Sequence, residues 1–356
     1  MLNPALMQWL EHNAQALDAG DGDPQQVLTQ LAQAGVLRVG VSPALGGSGG
    51  HVSDAVETLA AVASHSLAAA FVFWGQRAFI EYLLHSPNAA LREKLLLSLL
   101  SAELAGATGL SNAMKYLSGI EALQVRAASA ADGWTLNGRL HWVTNLRKSG
   151  FVVAAAIEHE AGGSPFVLAI PDGAAGVTRS ADLQLMGLQS SNTAAIDFAQ
   201  VAVGREWLLH EDARKFLPAV RPAFLGLQCG MALGLARRAL AEVEGHLQNG
   251  RSILLEPLQE QREQLARSVD ALKQGLHDGR FLTQPGALFQ IRIALAESAA
   301  NAVQLELQSS GGKAYLTEHG SGFARRWRES AFVPIVTPSL VQLRAELQRQ
   351  KREATA

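Results

Sequence analysis

Two changes of hydrophobic period constrain this chain more than any other feature. Over residues 1–104 the apolar residues follow helical spacing, and one long stretch from Ser53 to Leu84 carries Val56, Leu59, Ala60, Ala63, Leu67, Phe71 and Phe79. A break in that stretch is expected at His65-Ser66. Near residue 105 the pattern becomes short strand-like runs: Leu123–Ala127, Trp134–Leu140, Phe151–Ile157, Phe166–Ile170 and Ala194–Phe198. Asp-Gly, Asn-Gly, Gly-Gly and Pro-Asp-Gly turn signals separate them. From Asp212 the helical period returns, with helices expected over 216–244, 256–276, 284–308 and 340–351. The expectation is a mainly α protein with a central β domain: helices over 1–104, a β domain over 105–212 and a C-terminal helical bundle over 213–356.

Composition narrows the classes of function. A chain of 356 residues suits two or three domains, and 48% hydrophobic residues with a net charge of -2 can fill a large core. Thirty Lys+Arg scattered among 32 Asp+Glu give no basic surface, so nucleic-acid binding is not expected. Aromatic residues make up only 6%, with Ala and Leu in their place, which favours close helix packing. The single cysteine, Cys229, cannot form an intrachain disulfide, and a cytoplasmic location is expected. Neither a basic segment before an apolar stretch at the N-terminus nor an 18-residue apolar run is present, so secretion and membrane spanning are not expected. The glycine-rich loop Val41–Gly50 lacks the Lys-Ser/Thr of a phosphate loop, and the histidines show no paired metal spacing, so no metal site is expected.

Several local strings then carry a resemblance. Trp134-Thr-Leu-Asn-Gly-Arg-Leu-His-Trp-Val-Thr-Asn145 and Gln308-Ser-Ser-Gly-Gly-Lys-Ala-Tyr315 are similar to two segments of the acyl-CoA dehydrogenase family. Ser42–Gly49, Gly187–Thr193 before Val201-Ala-Val203, and Arg251 with Pro257-Leu258 follow in the family's order. The resemblance implies an N-terminal helical domain, a β-barrel-like middle domain and a C-terminal four-helix bundle. It implies FAD, or alternatively FMN. Trp142 would lie against the flavin ring, Thr144 would donate to its N5 and O4 region, and Asn145 would support that turn. Leu110, Asn112 and Ser118 occupy the stretch whose counterpart reaches the flavin pyrimidine, while Arg251, Gln308, Gly311 and Gly312 would receive the pyrophosphate of a neighbouring subunit's FAD. Each string also has a plainer reading: Trp142 as a core aromatic, Gly311-Gly312 as a helix C-cap, Arg251 as a solvated loop residue.

The acid of the family's dehydrogenases is missing from the expected places. Val336 or Thr337 stands where the usual Glu would be, and Val220 occupies its alternative location. None of these can take a proton alpha to a thioester. Candidate replacements are His141, which strand alternation would turn away from Trp142, and Gln76, Arg77 and Glu81, which follow Trp74. Glu329 is expected in an ion pair such as one with Arg328, and Arg221 beside Pro222 resembles a pair near the substrate's CoA portion.

Three functions stay open. One is a flavin-dependent oxidoreductase acting on an acyl-CoA or related small substrate, with an electron-transfer partner. The second is a flavin monooxygenase of the same fold, supplied by a flavin reductase. The third is a non-catalytic relative serving as a binding or assembly module. The resemblance implies a homodimer or homotetramer in each case.

Overall fold

The computed structural model describes residues 2–247 and 252–355. Five helices come first: α1 (Pro4–Ala19), α2 (Pro24–Gln33), α3 (Val52–Ala63), α4 (Leu67–His85) and α5 (Ala89–Leu100). Their starts are written locally. Asn3 and Asp23 accept the Ala5 and Gln25 backbone N–H groups, and each precedes a proline whose missing N–H would have had no helical partner anyway. The break expected at His65-Ser66 is there, because the Ser66 hydroxyl accepts from Ala69 N–H and starts a new helix.

Next come β1 (Ala105–Thr108), α6 (Ser111–Leu117), β2 (Val125–Ala130), β3 (Gly133–Val143), β4 (Phe151–His159), β5 (Phe166–Pro171), β6 (Val177–Asp182), β7 (Ala194–Gly204) and β8 (Leu208–His210). They form one mixed sheet in the order β6-β7-β3-β2-β4-β5-β8, with β1 added parallel to β4. All five expected strand runs overlap observed strands, whereas β1, β6 and β8 lack a sequence signal. β1 reads Ala-Gly-Ala-Thr because α4 lies directly on it: a Cβ on Gly106 would stand 2.6 Å from Phe79 Cβ.

The chain finishes with α7 (Ala213–His246), α8 (Leu255–His277), α9 (Arg280–Thr283), α10 (Pro285–Ser310), α11 (Ser321–Phe332) and α12 (Leu340–Thr355). α7 is the central rod and packs on α3, α4, α8 and α10. A Cβ at Gly230 would lie 2.8 Å from the Val56 carbonyl oxygen, and one at Gly234 would lie 2.1 Å from that of Ala60. The low aromatic content is therefore used here, in backbones brought into contact by small residues. α4 and α7 are long and apolar enough to cross a membrane, but 94% and 83% of those stretches are buried in the fold as core helices. α11, not expected from periodicity, is fixed by buried ion pairs: Arg326 reaches Glu306 of α10, and Arg325 reaches Glu329 one turn on at 2.6 Å.

Candidate active site

A chamber of about 380 Å³ opens where α4, the end of β3, residues 185–188 and the segment after α11 converge. Its first wall begins with a break in strand alternation. The β3–β7 register shifts between Leu140 and Val143, so His141 and Trp142 both face out. His141 was expected to point away from the side Trp142 faces. The bulge corrects that, and both residues line a branch of the chamber.

Trp142 is 63% exposed, an unusual state for an indole, and it overhangs the chamber. Thr144 is buried beside it. Its hydroxyl has one weak contact, 3.4 Å to Thr193 Oγ1, which in turn lies 2.8 Å from Ser191 Oγ. Thr108 also lines the chamber, and its hydroxyl lies 2.7 Å from that of Tyr82. Burial pushes the Tyr82 phenol well above its ordinary range, so that pair is neutral at any working pH.

The floor is aromatic. Phe71 stacks on Trp74 with ring centres 5.5 Å apart, Phe332 meets Phe71 edge-on at 4.7 Å, and Trp74 Nε1 donates to the Phe224 carbonyl at 3.2 Å. On the rim Met186 and Ile335 are 76% and 66% exposed. Together with Trp142 they leave a slot of large apolar groups open to water, a surface suited to a flat ring system.

The segment Ile335–Thr337 forms the remaining wall. Gln228 Nε2 donates to the Thr337 carbonyl at 2.8 Å, and Arg292 donates to the Val333 carbonyl at 2.7 Å, so α7 and α10 hold this backbone firmly. Val336 and Thr337 line the chamber as read from sequence, and Val220 is wholly buried in α7. Among the described residues no carboxylate lines the chamber, and its charged side chains are Lys115 and Arg328.

Of the residues expected at the cofactor, Trp142 and Thr144 line the chamber. Asn112 faces the branch of about 130 Å³, but its amide is committed to Glu121, the Ala122 carbonyl and Gln124 N–H. Ser118 faces a neighbouring cavity of about 190 Å³ whose lining shares only Lys115 with the chamber. Leu110 is fully buried as the residue preceding α6. Asn145 supports the turn from behind: with φ of 60°, it donates to Gln76 Oε1 and the Gly106 carbonyl. Leu110 and Asn145 thus do not reach the chamber.

Gln308, Gly311 and Gly312 sit together at the end of α10, away from the chamber. Gly311 has φ 63° and ψ -153°, a conformation reserved for glycine, whereas a Cβ on Gly312 would meet open space. Arg251 lies outside the described residues.

The candidate replacement acids are structural. Glu81 pairs with Arg77 at 2.6 Å inside α4, and Gln76 ties β1 to α5 by hydrogen bonds to Gly106 N–H and the Leu99 and Leu104 carbonyls. Glu329 pairs with Arg325, not Arg328, and also accepts from Leu67 N–H. Arg328 instead reaches buried Asp18 of α1 at 2.6 Å, and Asp18 accepts from Leu188 N–H as well. Cys229 is buried and its thiol is pushed up to about 12 by desolvation, so it is inert.

Sequence reading missed Lys115 and Glu121. Lys115 on α6 lines the chamber, its 130 Å³ branch and the neighbouring 190 Å³ cavity, 3.3 Å from Glu121. A signal was available in the polar residues at 111, 112 and 115, spaced to line one face of a helix.

Comparison with known proteins agrees with this architecture. The acyl-CoA dehydrogenase N-terminal domain family matches residues 6–103. A probable acyl-CoA dehydrogenase of Bacillus subtilis, YngJ, is 24% identical over 329 residues, covering 86% of this chain and 85% of that protein. Butyryl-CoA dehydrogenase from Megasphaera elsdenii superposes with a TM-score of 0.84 at 20% identity, covering 97% of this chain and 95% of that one. Dibenzothiophene monooxygenase from Paenibacillus sp. A11-2 shares the fold at a TM-score of 0.77 and 17% identity, over 96% and 93% of the two chains. Over residues 6–103 the chain thus resembles that family's N-terminal domain, and over nearly its whole length it has the acyl-CoA dehydrogenase fold.

Proposed function

We propose that this protein is a flavin-dependent oxidoreductase acting on a small organic substrate, acyl thioesters included, in the chamber under Trp142. The observation that carries this reading is the exposed indole of Trp142 beside the nearly unpartnered hydroxyl of Thr144. A planar ring system placed there would cover exposed apolar surface and give Thr144 a partner. FAD is the form the family resemblance supports, with the end of α10 of a neighbouring subunit as the site for its pyrophosphate. The bound flavin supplies two-electron oxidation and reduction. The chain's own residues do the rest: Trp142 orients the ring, Thr144 donates to its edge, and Phe71, Phe332, Leu188 and Ile335 exclude water.

The chamber's lining decides between reactions. Removing an alpha proton requires a base at the reacting carbon, and the chamber wall offers Val336, Thr337 and two cations. Oxygenation with reduced flavin from a separate reductase needs a dry chamber and hydrogen-bond donors, which Thr144, Thr108 and Ser111 provide. The reading best supported is therefore a flavin monooxygenase. The named relatives favour dehydrogenation as the second reading, with Glu121 a carboxylate that lines the adjoining branch together with Trp142 and Thr337. On either reading we place the protein in the cytoplasm as a homodimer or homotetramer, with domain boundaries at 104/105 and 212/213.

The test is direct. Reduced holoprotein exposed to ¹⁸O₂ with candidate substrates should yield product carrying the label. Bleaching of the oxidised flavin by acyl-CoA without oxygen would replace this reading with dehydrogenation. A colourless protein whose thermal midpoint does not move with excess FAD or FMN would leave only the non-catalytic module, since ligand at 100 times its Kd adds about 2.7 kcal/mol.

A further inference from the structure

The cations around the chamber differ in how far their charge is already answered. Arg328 lines the chamber, but its guanidinium donates twice to Asp18 of α1, at 2.6 and 3.0 Å, and that carboxylate is only 1% exposed. Arg221 faces the neighbouring 190 Å³ cavity instead, with its guanidinium 5.5 Å over the Phe289 ring. Lys115 is the cation common to the chamber, its branch and that cavity.

Lys115 is held in place without being cancelled. Its ammonium donates to Glu121 Oε2 at 3.3 Å, and both side chains are partly exposed, so water screens the pair. Glu121 is fixed in turn, because its Oε1 accepts from the buried Asn112 amide at 2.7 Å, and Asn112 is tied to the Ala122 carbonyl and the Gln124 N–H. The carboxylate that positions Lys115 lines the branch, whereas the ammonium side chain also lines the chamber. One N–H of Lys115 is used on Glu121, and the other two have no partner among the described residues. The wall that carries Trp142 and Thr144 is therefore biased positive.

We propose that Lys115 tunes the reduction potential of the ring system that Trp142 and Thr144 hold, with Asn112 and Glu121 as the residues that position it. This inference rests on the flavin reading given above. Taking up two electrons and one proton leaves a flavin with one negative charge on its ring, and a cation facing that ring favours the reduced form over the neutral oxidised one. Lys115 keeps its own proton throughout, and its contribution is its charge. Glu121 opposes that contribution, so the pair sets the potential below what a free ammonium would give and above what a neutral side chain would give.

The experiment reduces the flavin-loaded protein and its variants with xanthine and xanthine oxidase at mildly alkaline pH beside a reference dye. Lys115→Met should shift the reduction equilibrium toward the oxidised ring by at least about tenfold, roughly 30 mV for a two-electron couple. Glu121→Gln, which leaves the ammonium without its counter-charge, should move it the opposite way, and Lys115→Arg should stay near the parent. Sulfite, whose addition to the ring also leaves a negative charge there, should bind at least about tenfold more weakly to Lys115→Met and more tightly to Glu121→Gln. A loosened fold would not give opposite signs for two substitutions on one ion pair, and flavin Kd and thermal midpoint are read on the same samples. An unchanged potential in Lys115→Met, or shifts of the same sign in Lys115→Met and Glu121→Gln, overturns the proposal and leaves the flavin reading standing. A parent protein that stays colourless with excess FAD or FMN defeats the flavin reading, and this inference with it.

Discussion

Two walls of the chamber are both backed from behind, and they differ most in what they present. Trp142 and Thr144 hang from a bulged strand backed by the Asn145–Gln76 network, and Val333–Thr337 hang from the Gln228 and Arg292 clamps. Both backbones are held by buried polar side chains. At the first wall the exposed groups suit a flat cofactor; at the second, Val336 and Thr337 present aliphatic and hydroxyl groups. Two walls held firmly can therefore present quite different chemistry, and a shared fold does not transfer a reaction.

The largest expected effect comes from installing an acid in the second wall. Thr337→Glu puts a carboxylate on a backbone already fixed by Gln228. If acid identity is all that separates the two walls, anaerobic bleaching by acyl-CoA should rise about 10²- to 10⁴-fold over the parent, the usual worth of a general base. No gain, with flavin still bound, would show that the second wall has diverged in shape as well as in chemistry.

The supports come next. Gln76→Ala strands Gly106 N–H, the Leu99 and Leu104 carbonyls and the Asn145 amide in the interior. A loss of about 3 kcal/mol is expected in urea unfolding, together with weaker flavin retention. Gln228→Ala should cost less, about 1–2 kcal/mol, because it releases the Thr337 carbonyl at 2.8 Å and a long contact to Arg292 at 3.5 Å. Equal losses would mean that the two walls are clamped alike.

How far these walls could be read from sequence follows from the kind of contact involved. Trp142 and Thr144 were legible because a short string encodes a strand end, and the helix–strand–helix order was legible because hydrophobic period is a local property. The pairings that place the site are not local. Asp18 meets Arg328 across 310 residues, Gln76 meets Asn145 across 69, and Gln228 meets Thr337 across 109. α6 escaped because seven residues give less than two turns of pattern, and with it went Lys115. The His141 orientation failed because alternation assumes an unbroken ladder, and β3 is bulged at that point.

Trp142→Ala isolates the first wall. The indole is 63% exposed in the chain alone, so its removal should change stability by less than about 0.5 kcal/mol. Stacking on flavin is a different matter, and the flavin Kd should rise roughly tenfold, read by fluorescence on titration. A large stability loss with unchanged affinity would return Trp142 to the status of a core aromatic.

Thr144→Val is the finest cut. The hydroxyl has only the 3.4 Å contact with Thr193, which keeps Ser191 at 2.8 Å, so the folded protein loses little when it is removed. An oxygen that donates to flavin would contribute about 0.5–1.5 kcal/mol, so Kd should rise about three- to tenfold and the long-wavelength flavin band should shift. The stability curve should stay within about 0.5 kcal/mol of the parent. An unshifted band at full loading would mean that Thr144 faces the cofactor without touching it, and the donor would then have to come from Thr108 or Ser111 on the same wall.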